Sequence, residues 1–247
     1  VLHLAVPHLS ADLNPTGIEL LWILDIYGFL IAGFLIVMGT LGDRIGRRRL
    51  LLCGAVAFGV ASVMAAFSTS AHMLIINRAL LGIAGATLMP STLSLIRNMF
   101  EVESERTRAI SIWMTGFIVG SAIGPVVGGF LLEYFWWGSV FLLGVPVMLL
   151  LLVAGFFILP EFKDEQAGKL DLGSALLSVV VLLLLIFGLK EMSHQGLTKL
   201  VIATIVLGLL LGWYFIRRQK MSANPMLDLS LFHNPLFSSA ILACMLS

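Results

Sequence analysis

Long runs with no charge or a single charge recur along the chain, and they constrain its fold more than any other feature. A bilayer core of roughly 30 Å needs about 20 helical residues, since each residue rises about 1.5 Å. Seven runs have about this length or more, and they cover residues 20–42, 50–77, 79–96, 109–132, 134–160, 172–189 and 200–216. The sequence therefore predicts an all-α integral membrane protein.

The composition excludes most soluble classes of protein. Of the 247 residues, 59% are hydrophobic and 12% are charged, whereas a soluble domain is about 45–50% apolar and about 25% charged. A net charge of +1 lacks the cationic excess of nucleic-acid-binding surfaces, so we expect no nucleic-acid partner. The two cysteines and five histidines form no metal-ligand spacing, and enzyme motifs are missing, so we expect no metal, no cofactor and no enzymatic activity.

Positive charge is concentrated in every second connection between the apolar runs. One set of connections holds twelve Lys and Arg residues, whereas the opposite set holds only Lys190 and Lys199. Because cytoplasmic loops carry the excess of Lys and Arg, the first set is predicted to be cytoplasmic. The chain is thus predicted to be a multi-pass protein of the cell membrane, most simply the bacterial inner or plasma membrane.

The segment GTLGDRIGRRRL, from Gly39 to Leu50, follows the first complete run. We call it the signature segment and expect a loop, because its glycines permit a tight turn. An acid here can face a helix start, and the arginines hold the segment on the cytoplasmic side. Its candidate gating residues are Gly39, Gly42, Asp43, Arg44, Gly46, Arg47 and Arg48.

Two charged residues interrupt the apolar runs: Asp25 lies inside the run at 20–42, and Arg78 lies between the runs at 50–77 and 79–96. Counted along their helices, Asp25 lies about 27 Å above Asp43 and Arg78 about 29 Å above Arg97, so both are predicted in the outer third of the membrane. A charge there costs about 2.5–3.5 kcal/mol and usually faces a cavity or partner. Arg78 could instead extend to the outer headgroups. The shorter Asp25 side chain favours a functional carboxyl.

Two aromatic residues, Trp22 and Tyr27, flank Asp25 in sequence. Their rings could present cation–π faces to a bound cation. The alternative is that they anchor the helix at the outer interface.

The run at residues 109–132 carries a ladder of glycines. Gly116, Gly120, Gly124 and Gly128 recur every four residues, with Pro125 and Gly129 beside them. This spacing places the glycines on one helix face, where another backbone can approach closely. Pro125 removes a backbone donor and bends that face. Ordinary helix packing is the simpler alternative.

Three strings together resemble motifs of the major facilitator superfamily. The pattern G-x-L-x-D-R-x-G-R-R resembles its signature loop, and NRALLGIAGA, around Arg78, resembles its fourth-helix motif, whose Arg is associated with proton coupling. GFIVGSAIGPVVGG resembles the antiporter motif of the fifth helix. LLWILDIYGFLIAGF, MPSTLSLIR and NPMLDLSLF are similar to the fourteen-span drug/proton antiporter-2 group, whose members export quaternary ammonium compounds and methyl viologen.

This resemblance implies the amino-terminal part of a larger transporter. Its fold would comprise the end of span 1, spans 2 to 6, two extra spans and the start of a further span. The implied domains are a transporter bundle at residues 1–160, a cytoplasmic loop at 161–171, two linker spans at 172–216, and a loop with the start of the carboxy-terminal bundle at 217–247.

The function implied is proton-coupled efflux of lipophilic organic cations, such as quaternary ammonium antiseptics and dyes. Asp25 and Arg78 would couple protons to cations, Trp22 and Tyr27 would line the cavity, the signature segment would gate the cytoplasmic side, and the glycine ladder would form a packing seam. The expected partners are cationic drugs, protons, membrane lipids and a carboxy-terminal bundle. The alternatives are another major facilitator, either a symporter or a facilitator, and a half-bundle that does not transport.

Overall fold

The computed structural model describes residues 2–163, 171–221 and Ser239, and within them the chain is helical. Its helices are α1 (Leu2–Leu13), α2 (Gly17–Ile45), α3 (Arg47–Ala66), α4 (Ala71–Met99), α5 (Glu103–Tyr134), α6 (Ser139–Leu142), α7 (Gly144–Ile158), α8 (Leu172–Gln195) and α9 (Lys199–Met221). Within the described residues, seven segments are long and apolar enough to cross a membrane, with α6 and α7 together counting as one. The predicted all-α membrane fold is confirmed.

Three predicted boundaries are wrong. The signature segment is not a loop, because residues 39–45 belong to α2 and residues 47–50 to α3, which leaves only Gly46 between the helices. The run at residues 50–77 contains a turn at 67–70, since α3 ends at Ala66 and the Ser70 hydroxyl caps α4 by accepting a hydrogen bond from the Met73 N–H. Lys190, expected in an outer loop, lies within α8. A hydropathy pattern does not reveal such boundaries, because turn residues can be uncharged and arginines are compatible with a helix.

Some predictions concern residues outside the part of the chain that the structure describes. These are most of the cytoplasmic loop at 161–171, and the further span expected from residue 229 onward, of which only Ser239 is described. The chain divides into two compact units, Val1–Gln166 and Ala167–Ser247.

The first unit is organised around the packing of α4 against α2 and α3. Gly82 of α4 lies so close to α2 that an added Cβ would stand 2.7 Å from the Tyr27 carbonyl oxygen. Glycine is therefore required for this approach of two backbones. A buried apolar cluster that includes Leu9, Ile23, Leu74 and Trp137 fills the space near one end of these helices.

The second unit contains the hairpin of α8 and α9. Asp171 caps α8 by accepting hydrogen bonds from the backbone N–H groups of Gly173 and Ser174 and from the Ser174 hydroxyl. The same carboxylate binds Arg218 of α9 through two bonds of 2.9 and 3.1 Å. These contacts, the Ser174 hydrogen bonds foremost, lower the pKa of Asp171 from its ordinary value. One carboxylate thus joins the start of α8 to the last turns of α9.

Candidate functional site

Arg78 is buried between α4 and α2. Only 8% of the residue is exposed. Its Nε donates a 2.5 Å hydrogen bond to the carbonyl oxygen of Ile23, and its Nη2 donates a 3.0 Å bond to that of Leu24. Its guanidinium carbon lies 5.1 Å from the centre of the Tyr27 ring. The side chain is therefore directed at α2, and it lacks the exposure that extension to the headgroups would require.

Asp25 belongs to the turn of α2 that Arg78 holds. It is half-buried, and its Oδ2 atom is shielded from solvent. Ile23 and Tyr27, which mark the face toward Arg78, are each two residues away from Asp25. Residues two apart on a helix do not face the same way. Arg78 therefore fixes the backbone of the Asp25 turn from one side, while the carboxyl group projects from another.

The two aromatic candidates differ in their surroundings. Tyr27 is half-buried and one face of its ring is covered by Arg78. Trp22 packs edge-on against Phe29, with ring centres 6.3 Å apart. Since Trp22 precedes Asp25 by three residues, the two share a helix face. Tyr27 thus contacts Arg78, whereas Trp22 lies on the face of α2 that carries Asp25.

The break between α2 and α3 is built on Gly46. Its φ of +113° lies in the region that favours glycine, and an added Cβ would collide with the carboxylate of Glu161. Asp43 and Arg47 form an ion pair across this break. Gly42 makes room for that pair, because a Cβ there would stand 3.0 Å from Cδ and Nη1 of Arg47.

Glu161 completes the start of α3, although no motif or charge pattern in the sequence marks this residue. Its Oε1 accepts from the Arg48 N–H at 3.1 Å, and its Oε2 accepts from the Arg49 N–H at 3.2 Å. The Arg47 N–H donates to the Phe162 carbonyl at 2.9 Å. A carboxylate at a helix start also opposes the positive end of the helix dipole. The segment after α7 therefore fastens the signature segment to the bundle.

The remaining signature residues lie on either side of this contact. Arg48 donates to the Phe156 carbonyl and lies over the Phe156 ring, 5.3 Å from its centre. Arg44 is half-buried in the last turn of α2. Gly39 lies against Pro90 of α4, with 3.8 Å between an added Cβ and the proline Cβ. The structure brings these residues together at one end of α2, α3, α4 and α7.

The glycine ladder lies on α5, which is mostly exposed. A Cβ added at Gly116, Gly120 or Gly129 would meet no described atom within 4 Å beyond its own stretch of helix. Gly128 is buried, Gly124 is half-buried, and Pro125 is exposed within the helix. In the described part of the chain, no second backbone uses the open positions for close packing.

The whole chain is similar to known proteins. Residues 1–247 match the family model described as Major Facilitator Superfamily. The chain is 49% identical to the multidrug efflux pump LfrA of Mycolicibacterium smegmatis, covering 100% of this chain and 49% of the pump. It is 42% identical to the methyl viologen resistance protein SmvA of Salmonella typhimurium, covering 98% of this chain and 50% of that protein. The chain spans about half the length of the curated relatives it matches.

The fold also matches a solved structure. A crystal structure of the peptide transporter POT aligns with a TM-score of 0.61 and 20% identity, over 85% of this chain and 46% of that one. At this identity the match supports the helical architecture alone.

Proposed function

The chain belongs to the Major Facilitator Superfamily, and we propose that the transporter containing it exports lipophilic organic cations in exchange for protons. It is a multi-pass membrane protein of a transporter family and not an enzyme. The observation that carries the proposal is the similarity of the whole of this chain to 49% of LfrA, which is named as a multidrug efflux pump. The name of SmvA adds resistance to methyl viologen, which is an organic dication.

Asp25 is the proposed exchange group. A carboxylate inside a membrane span can hold a proton or attract a cation, and protonation removes the charge that holds the cation. Its half-buried position on α2 supports this role, since a fully exposed carboxylate would interact weakly with a cation. Arg78 is the proposed positioning residue, because it hydrogen-bonds to the carbonyls of the same turn.

Trp22 is the stronger of the two aromatic candidates for the cavity. The Tyr27 ring already contacts the Arg78 guanidinium, so that face cannot stack on a drug without displacing Arg78. Trp22 shares the Asp25 face and could place an indole ring beside a cation held by the carboxylate. We therefore assign drug contact to Trp22, and assign Tyr27 to the support of Arg78.

The signature segment and the glycine ladder are assigned supporting roles in the same cycle. Major facilitators alternate access by moving two helix bundles around a central site. The junction at Gly46 is held by the hydrogen bonds of Glu161 and by the Asp43–Arg47 pair, and a second bundle could close against it. The open glycine positions of α5 offer a face for close packing by that bundle.

The test is Asp25→Asn in the intact transporter, reconstituted in vesicles with an imposed proton gradient. We expect the variant to reach the membrane but to lose proton-driven efflux of methyl viologen and ethidium, because an amide can neither exchange the proton nor offer a charge. Glu133→Gln is the matched control, since Glu133 is an exposed carboxylate near the end of α5. Wild-type efflux by Asp25→Asn would refute the assignment. Cation uptake together with protons would favour a symporter instead.

A further inference from the structure

Asn77 is buried where α4 meets the end of α3, one residue before Arg78. Only 2% of the residue is exposed. Its Nδ2 donates one hydrogen bond of 3.0 Å to the Met64 carbonyl oxygen and another of 3.0 Å to the Ser68 hydroxyl oxygen. The Ser68 hydroxyl donates to the same carbonyl at 3.1 Å. An amide nitrogen carries two donors, so both are used. We call these three groups the Asn77 cluster.

The Asn77 cluster completes the end of α3. The last four carbonyls of a helix lack partners within it. Those of residues 63 and 65 accept from backbone N–H groups of the following turn, and that of Ala66 accepts from the Trp136 indole N–H at 3.3 Å. The Met64 carbonyl instead depends on the two side chains of the cluster, one of which belongs to α4. Asn77 therefore fixes the height and the rotation of α4 relative to the end of α3.

Asn77 and Arg78 hold α4 from two sides at the same height. Consecutive residues of an α-helix project about 100° apart. Here the first side chain reaches α3, while the second reaches the carbonyl oxygens of Ile23 and Leu24 on α2. The Arg78 bonds require the guanidinium plane to meet two successive carbonyls, so they tolerate little rotation of α4. Without Asn77, that rotation would be left to apolar packing, which is not directional.

We propose that Asn77 is a positioning residue for cation exchange at Asp25. Asn77 sets the rotation of α4, α4 carries Arg78, and Arg78 holds the turn of α2 from which the Asp25 carboxyl group projects. Cation binding at Asp25 would therefore respond to Asn77, whose own hydrogen bonds go to α3 and the turn after it. The effect on cation binding rests on the proposed function, whereas the link from Asn77 to α2 does not depend on it.

The experiment compares Asn77→Ala with Leu95→Ala in the intact transporter, purified in detergent. Leu95 is 2% exposed and lies toward the opposite end of α4, so its truncation destabilises this helix without touching the Asn77 cluster. Thermal unfolding and ethidium binding are measured for each variant. Amide hydrogen exchange is measured at Tyr27 and Gly28, whose N–H groups face the carbonyls four residues earlier in the helical pattern, the same two carbonyls that Arg78 binds.

Both variants should melt at a lower temperature, but Asn77→Ala alone should change α2. Its exchange at Tyr27 and Gly28 should speed up roughly two- to tenfold, because the Arg78 bonds lose their alignment. The dissociation constant for ethidium should rise by a similar factor. Leu95→Ala should leave the exchange and the dissociation constant unchanged. When Arg78→Lys is already present, Asn77→Ala should add nothing to either quantity, since both changes act through the same contact.

Ser68→Ala is a milder form of the same test, because it removes one acceptor of Asn77 and keeps the Met64 carbonyl. It should give a smaller change in the same direction, and it decides the outcome if Asn77→Ala does not fold. Unchanged exchange on α2 in every variant of the cluster that folds, or additive effects with Arg78→Lys, would overturn the positioning role. Faster exchange on α2 with unchanged ethidium binding would support the link to Arg78 and refute the cation site at Asp25.

Discussion

Arg78 shows how one buried cation can order a neighbouring helix through its backbone carbonyls. Its two hydrogen bonds go to successive backbone carbonyls, those of Ile23 and Leu24, which a planar guanidinium can reach together. The Tyr27 ring covers the same group. Arg78 thereby fixes the turn that carries Asp25, so its effect on transport would pass through the position of that carboxyl.

Arg78→Lys is predicted to weaken both the fold and efflux. An ammonium cannot reproduce the planar pair of donors, and a hydrogen bond to a charged group contributes about 1.5–3 kcal/mol. The melting temperature of the intact transporter, which is about twice as long as this chain, should fall by about 1.5–6 °C. Efflux should fall more than that of Arg97→Lys, a control at an exposed arginine in the last turn of the same helix. Wild-type stability and efflux in Arg78→Lys would contradict the positioning role.

At the scale of helices, the junction of α2 and α3 depends on a residue far away in sequence. Glu161 occupies the position that a serine or aspartate next to the helix start would usually fill. It is 113 and 112 residues from the two N–H groups that it accepts from. The contact also packs against Gly46, where a side chain would collide with the carboxylate. The junction is therefore a tertiary contact rather than a local turn.

Glu161→Gln is predicted to loosen the start of α3. The neutral amide keeps one acceptor oxygen and loses the second, and a lost helix cap costs about 0.5–2 kcal/mol. Hydrogen–deuterium exchange at the Arg48 and Arg49 amides should therefore speed up roughly 2- to 30-fold. Exchange within α8 should not change. The same measurement on Glu101→Gln, an exposed carboxylate before α5, should show no difference from the wild type at Arg48 and Arg49.

The features that the sequence predicts depend on local properties of the chain, whereas most of the features it misses depend on contacts between distant segments. Hydropathy is a local property, so the seven spans could be recognised from the residues alone. The turn at 67–70 was missed because its residues are uncharged, although the polar run Ser68–Thr69–Ser70 is typical of a turn and helix start. Glu161 and the carbonyl partners of Arg78 depend on contacts between distant segments. Asp25 and Arg78 could be chosen from the sequence because charged residues are rare in a membrane span. Only the structure shows that Arg78 contacts one face of α2 while the Asp25 carboxyl group projects from another.

At the scale of the whole molecule, α5 is an element that the rest of its unit leaves largely uncovered. Residues 111–122 are exposed except for Trp113, which is half-buried, and the open positions at Gly116 and Gly120 lie within this stretch. The buried residues of α5, Gly128 and Leu132, lie toward its other end. A membrane could cover the apolar side chains of α5, but contact with lipid does not explain small residues at helical spacing. Such residues serve the close packing of helices. This face therefore supports the proposal that a second bundle completes the transporter.

The 247-residue chain, reconstituted alone in liposomes, is predicted not to exchange ethidium for protons. Alternating access needs two bundles that move around a shared site, and the face of α5 would lack its partner. Proton flux and dye accumulation would be recorded together under an imposed pH gradient. The intact transporter in the same liposomes provides the positive control. Asp25→Asn in the intact transporter shows the background of an assembled but uncoupled protein. Proton-linked dye movement by the chain alone, above that background, would show that this unit holds the complete pathway and would remove the need for a second bundle.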